Sequence, residues 1–179
     1  MKNKFGLVLV LVLLVSAFVF AENVALLADV ESDSNFPSYN PSVVADGERN
    51  EASEVGRWGE VAWASAETPD DHWLELLLPN KTKVKSIYIW WARDTGVFHY
   101  SEDIIIEANG KIVYDSTKKT NALVKDVKRL TGDADGFQVT QIFFNEPVTA
   151  DTIRIIQLAG GGHPDRPNIM WVAEVEINE

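Results

Sequence analysis

The chain contains no cysteine. An exported domain of this composition has no disulfide to hold it, so core packing or a bound metal must do so. A lipid anchor on a cysteine and a thiol nucleophile are excluded with it. Histidine is scarce, at three residues. There is no His-Glu-x-x-His zinc pattern, no phosphate-cradling glycine loop and no nucleophile elbow. Positive charge is short as well: 16 Lys and Arg stand against 27 Asp and Glu, a net charge of −11. That balance argues against nucleic acid, and disfavours anionic membranes, because both are polyanions. It suits a soluble domain that takes calcium or a neutral ligand. Acidic residues such as Glu60, Asp70 and Asp71 are too ordinary on a surface to imply a catalytic pair, so the chain is read as non-catalytic.

One long apolar run is present, Phe5 to Phe20, preceded by Lys2 and Lys4 and followed by Val19-Phe20-Ala21 as a cleavage site. This is the form of a secretory signal over residues 1–21, and it implies a secreted or extracytoplasmic protein. The run falls short of the roughly 20 residues that a membrane span needs, so cleavage is favoured over an uncleaved anchor. Residues 22–179 then make a single domain, and losing the two lysines takes the charge to −13.

The mature chain reads as all-β. Trp73–Leu78 is a strand ended by Pro79-Asn80, and Val84–Trp91 alternates, with Trp90 and Trp91 on opposite faces. Ile104–Ala108 and Lys111–Tyr114 flank Asn109-Gly110, the clearest hairpin turn. Phe137–Phe144, Thr152–Leu158 and Trp171–Asn178 follow. Asn121–Leu130 fits a helix, through Leu123, Val127 and Leu130, or a strand of mixed faces. Eight or so short strands between turns predict an antiparallel β-sandwich.

The long polar stretch from Pro41 to Trp63 needs a reason in a compact domain. Its Trp58, between Arg57 and Gly59, answers to no strand periodicity. Trp171 follows Gly160–Asn168, a loop dense in glycine, proline and polar groups that holds His163, Arg166 and Asn168. Trp63, Trp73 and Trp90 fall within strand patterns and are expected in the core, and His72 and His99 are expected at the surface. Asp133-Ala134-Asp135-Gly136 reads as a turn, because it lacks the distal glutamate of an EF-hand loop.

In order along the chain, Asn23-Val24-Ala25, Val44-Ala45-Asp46-Gly47, Trp63-Ala64-Ser65, Trp73-Leu74-Glu75-Leu76, Ile153-Arg154-Ile155 and Ala173-Glu174-Val175-Glu176-Ile177 resemble the landmarks of the discoidin domain, also called coagulation factor 5/8 type C, and its carbohydrate-binding relatives. Leu77-Leu78-Pro79 stands where the family usually has Asp-Leu-Gly, and Ala64 where galactose binders often carry histidine. The resemblance implies a galactose-binding-like jelly roll. It also implies a structural calcium whose side-chain ligands are Asp46 and Glu174, with carbonyls from near Val43, Ala45, Asn50 and Ala173. Calcium takes six to eight hard oxygens, which carboxylates and turn carbonyls supply.

The resemblance further places a sugar site at the loop end of the sandwich, with Arg93 just after the strand Val84–Trp91. Trp58, Arg93, His163, Arg166, Asn168 and Trp171 are the ligand candidates. The expected function is a secreted, non-catalytic carbohydrate-binding module whose partner is a glycan or polysaccharide. The alternative is a cell-surface adhesion or protein-interaction domain that uses the same loops.

Overall fold

The computed structural model describes residues 22–49, 58–132 and 137–179, and of Trp58 the backbone only. Residues 1–21, read above as a secretory signal, the candidate ligand Asn50 and residues 133–136, read above as a turn, therefore lie outside the described residues. Ten strands run through the rest: β1 Asp29–Ser32, β2 Trp63–Ala64, β3 His72–Trp91, β4 Arg93–Asp94, β5 Val97–Phe98, β6 Ile104–Ala108, β7 Lys111–Asp115, β8 Val124–Gly132, β9 Phe137–Gln157 and β10 Trp171–Asn178.

Two long strands, β3 and β9, organise the molecule. Trp73–Leu78 and Val84–Trp91 prove to be two arms of one strand, and so do Phe137–Phe144 and Thr152–Leu158. The antiparallel ladder between them runs from His72↔Gln157 to Leu77↔Thr152 and resumes at Thr82↔Ala150. After a second shift it continues from Ser86↔Phe143 to Trp90↔Val139. The two irregularities let the ladder fold over on itself, since extra residues in one strand bend it and increase its twist. Pro79 sits exposed in the first of them, where its missing N–H costs no ladder bond.

Folding the ladder produces two layers. The outgoing arm of β3 pairs with β1 and with the returning arm of β9, which also carries β6 and then β7. The other arms pair with β10 and β8, and β2 adds to β10. Leu74, Leu76, Ile104, Ile106, Ile153 and Ile155 of one layer meet Ile87, Ile89, Trp91, Ile142, Val175 and Ile177 of the other in a single core. The architecture is the antiparallel β-sandwich that the strand pattern predicts. Asn109 and Gly110 turn the β6–β7 hairpin with φ of 51° and 71°. Those positive angles are what an Asn-Gly pair tolerates.

One open reading is decided and several expectations give way. Val124–Gly132 is a strand on the edge of β9, so the helical spacing of Leu123, Val127 and Leu130 goes unused. Val127 packs toward the core, while Leu123 and Leu130 stay exposed. Trp63 is fully buried as expected, but the core indole of the Trp90-Trp91 pair is Trp91, whose Nε1 donates to Thr140 Oγ1 at 2.9 Å. Trp90 and Trp73 are half-buried on outer faces, each covered by a guanidinium: Arg49 lies 4.4 Å from the Trp90 ring centre and Arg154 4.5 Å from that of Trp73. His72 and His99 are buried rather than at the surface. His72 is accommodated because Asp33 Oδ2, at 2.8 Å, and Thr68 O, at 3.0 Å, meet its two ring nitrogens.

Candidate functional site

Two polar clusters stand out, both set by β10. The first lies under the loop after Val44. Asn40 accepts the Ser42 N–H at 3.0 Å and starts a short 3-10 turn, Pro41–Ala45, which Asp46 closes. Asp46 Oδ1 then accepts the Glu48 N–H at 2.8 Å, and Gly47, at φ 87°, donates its N–H to Glu174 Oε1 at 3.2 Å. Beside it Arg49 pairs with Glu176 on the same outer face of β10.

Glu174 is fully buried, yet its Oε2 has no hydrogen-bond partner. Burial, and then the neighbouring carboxylates of Asp46 and Glu176, push its pKa up to about 9. A buried carboxylate facing two others is stable only if it is protonated or a cation neutralises it. The orphaned oxygen beside Asp46 therefore fits a hard cation. Val43 and Ala45 lie in the adjoining turn and Ala173 next to Glu174 in the strand. Among the described residues no three His, Cys, Asp or Glu side chains group as metal ligands, so backbone oxygens would have to complete the shell.

The second cluster lies at the loop end. Trp171 opens β10 above Ala62, Ala64, Ala92 and Ala173, whose small side chains leave room for the indole. His99 stacks on it, with ring centres 5.4 Å apart and planes 24° apart, and Arg166 lies 5.5 Å over the same ring. Tyr39 meets it edge-on at 6.4 Å. His163 packs edge-to-face against both His99, at 5.3 Å, and Tyr100, at 5.2 Å. Arg166 grips Glu67 through two hydrogen bonds of 3.1 and 2.7 Å, which hold the Glu67 carboxyl below its ordinary range. Burial, then the charges of His163 and Arg166, push the His99 imidazole down, so it is neutral at neutral pH.

The backbone explains this convergence. The Ala92 N–H donates to Trp171 O and the His99 N–H to Ala92 O, which seats the β4–β5 hairpin beside the indole. The Gly162 N–H donates to Pro167 O at 2.9 Å, and that bond folds residues 162–167 back so that His163 and Arg166 point together. Met170 N–H and O both bond to Ser65.

Of the sequence candidates, His163, Arg166 and Trp171 thus come together. Arg93 sits on the adjoining hairpin, 5.4 Å over Phe98. Asn168 is half-buried in the turn before Trp171. The side chain of Trp58 lies outside the described residues, and its backbone opens a short helix, Trp58–Val61. Trp171 is the buried floor of the cluster, at 4% exposure. Sequence reasoning missed Tyr39, Glu67, Tyr100 and His99. The signal for His99 was its place just past a turn-forming Asp-Thr-Gly.

Against curated protein sequences the chain has no match. Among solved structures it is similar to the family 32 carbohydrate-binding module of Clostridium perfringens NanJ in complex with galactose. The TM-score is 0.62 at 18% identity, over 89% of this chain and 98% of that one. It is also similar to chitosan-binding module 1 of a Paenibacillus chitosanase/glucanase, with a TM-score of 0.63, 18% identity, and 89% and 100% covered. A Streptococcus pneumoniae fucose binding module aligns with a TM-score of 0.59 and 20% identity, over 88% and 95%. The profile of the F5/8 type C domain matches residues 29–172. That match spans most of the chain and agrees with the folded-over sandwich, and the chain belongs to the F5/8 type C domain family.

Proposed function

We propose that this chain is an exported, non-catalytic carbohydrate-binding module that takes a sugar at the loop end and calcium under the Asp46 loop. The observation that carries the sugar reading is the convergence of the part-exposed Tyr39, Tyr100, His163 and Arg166 over the buried His99 and Trp171. Aromatic edges and faces suit the C–H surface of a sugar ring, and Arg166, His163 and the nearby Arg93 are donors for its hydroxyls. Similar solved domains are described with galactose, or as fucose- or chitosan-binding, which supports the same ligand class.

Calcium would be held by the carboxylates of Asp46 and Glu174, with backbone oxygens near Val43, Ala45, Asn50 and Ala173. When bound it supplies positive charge that lets Glu174 stay ionised in a dry site. Its role is structural: it fastens an early loop to the last strand of a domain without disulfides.

A glycan array probed with residues 22–179 tests the sugar reading. Specific hits that disappear in Arg166→Ala are expected. An empty array, with binding to cells or proteins unaffected by free sugars, would move the function to adhesion.

A further inference from the structure

We propose, on the footing that the loop end is the glycan site, that this site opens in acid: a proton on His99, wedged between Trp171 and His163, drives these side chains apart and releases the ligand. His99 is 5% exposed. Its ring stacks on the indole with centres 5.4 Å apart, and His163 meets it edge-on at 5.3 Å. Its Nδ1 is buried with no hydrogen-bond partner. An imidazolium carries an N–H on both nitrogens, so a proton taken in place leaves a charged donor buried without an acceptor. The ring must leave to be solvated. Its exit removes the packing between the floor of the site and His163, one of the donors that would hold the sugar.

The neighbouring groups oppose a charge on this ring. Burial weighs most against it, then His163 and Arg166 of the β9–β10 loop; Asp94 of the β4–β5 hairpin and Asp165 favour it less. Glu67, from the loop before β3, is engaged on Arg166 at 2.7 Å, and Arg93 lies over Phe98. Tyr39 packs on Trp171 and Tyr100 on His163 as uncharged rings. An indole attracts an imidazolium, but Arg166 already shares this one, 5.5 Å from its centre. His163 differs from His99. Its Nδ1 accepts the Asp165 N–H at 3.2 Å, and a proton placed there meets Asp165 Oδ2 at 3.7 Å. Only the neutral form of His99 fits the closed site, whereas both forms fit the open one. The closed site is therefore fully favoured above the ordinary imidazole value of 6.5 and loses up to about tenfold against the open form for each pH unit below it.

Nuclear magnetic resonance of the protein without ligand, titrated with acid, follows the His99 imidazole and the Trp171 indole N–H directly. The imidazole should stay neutral below its ordinary value, and its protonation should shift the indole signal in the same step. Titrations with the strongest hit of the glycan array, with excess calcium throughout, should show affinity falling about tenfold between about pH 7.5 and about pH 5.5. His99→Phe keeps a flat ring but takes no proton. Its affinities at the two pH values should be equal, whatever the affinity at neutral pH. Protonation of His99 that leaves the Trp171 signal unmoved, an affinity that is the same at both pH values in the unaltered protein, or a loss that persists in His99→Phe overturns the inference while leaving the glycan site intact. An empty array overturns the glycan reading and the release of ligand with it, and coupled imidazole and indole signals would then show an acid opening of the cluster alone.

Discussion

Trp171 illustrates how burial decides the role of a residue. An indole beside the proposed sugar site invites the role of stacking platform, but the packing of four alanines beneath this one and of His99 and Arg166 above it makes it a support. Its removal would empty a well-packed space and release His99 and Arg166 together. Trp171→Ala should cost about 3–5 kcal/mol in stability, the range for large aromatic truncations in cores, and Trp171→Phe much less. Denaturant melts check this, and an Ala variant that loses sugar binding at unchanged stability would restore the platform role. At this scale the candidates legible in the sequence were the polar residues of a loop too rich in glycine and proline to be a strand, namely His163 and Arg166. Tyr39, Glu67 and His99 were not legible, because each reaches the site from a different loop and only the folded ladder brings those loops to one end. The sorting of Trp90 from Trp91 was half legible. Alternation places them on opposite faces, but which face is buried depends on the layer that packs against it.

At the scale of elements, the loop between β9 and β10 is held by close backbone approach. A Cβ on Gly162 would lie 2.8 Å from the carbonyl oxygens of both Arg166 and Pro167 and 3.0 Å from that of Ile169. Backbone atoms cannot move aside as a flexible side chain does. Gly162→Ala should therefore splay the loop, destabilise the domain by about 1–3 kcal/mol and weaken ligand binding by displacing Arg166. Gly160→Ala, with nothing within 4 Å but φ of 72°, should cost only about 1–2 kcal/mol and spare the binding surface. Paired melts and titrations of the two variants check the contrast. The strands of β3 and β9 were legible piece by piece through their period of two. That each pair of pieces is one strand folded over was not, because Pro79-Asn80 and Asn145–Pro147 carry the same composition as an ordinary turn. The register of the ladder across those bends is a property of pairing, which no local pattern encodes. Val124–Gly132 stayed open for the same reason, since an edge strand with exposed Leu123 and Leu130 needs its partner to be recognised.

For the whole molecule, the absence of disulfides puts weight on the buried carboxylate of Glu174. Without an ion, the folded state keeps a proton on Glu174 up to about pH 9, whereas the unfolded chain releases it near 4.5. Between those values the folded state binds more protons than the unfolded one, so stability falls as pH rises through the window. Calcium at the proposed site would reverse the relation, because the ion would compete with that proton and bind better as the proton leaves, adding stability that grows with the logarithm of its affinity. Thermal melts in chelator should therefore decline from acid to mildly alkaline pH, and melts in calcium should gain most at the alkaline end. Asp46→Asn relieves the repulsion on Glu174 while removing a ligand, so it should flatten the chelator profile and lower the calcium gain together. Melting temperatures that ignore calcium at every pH would refute the ion site. The same carboxylates would then stand as a protonated, hydrogen-bonded tie between the first loop and the last strand, and acidification would stabilise the domain rather than release it.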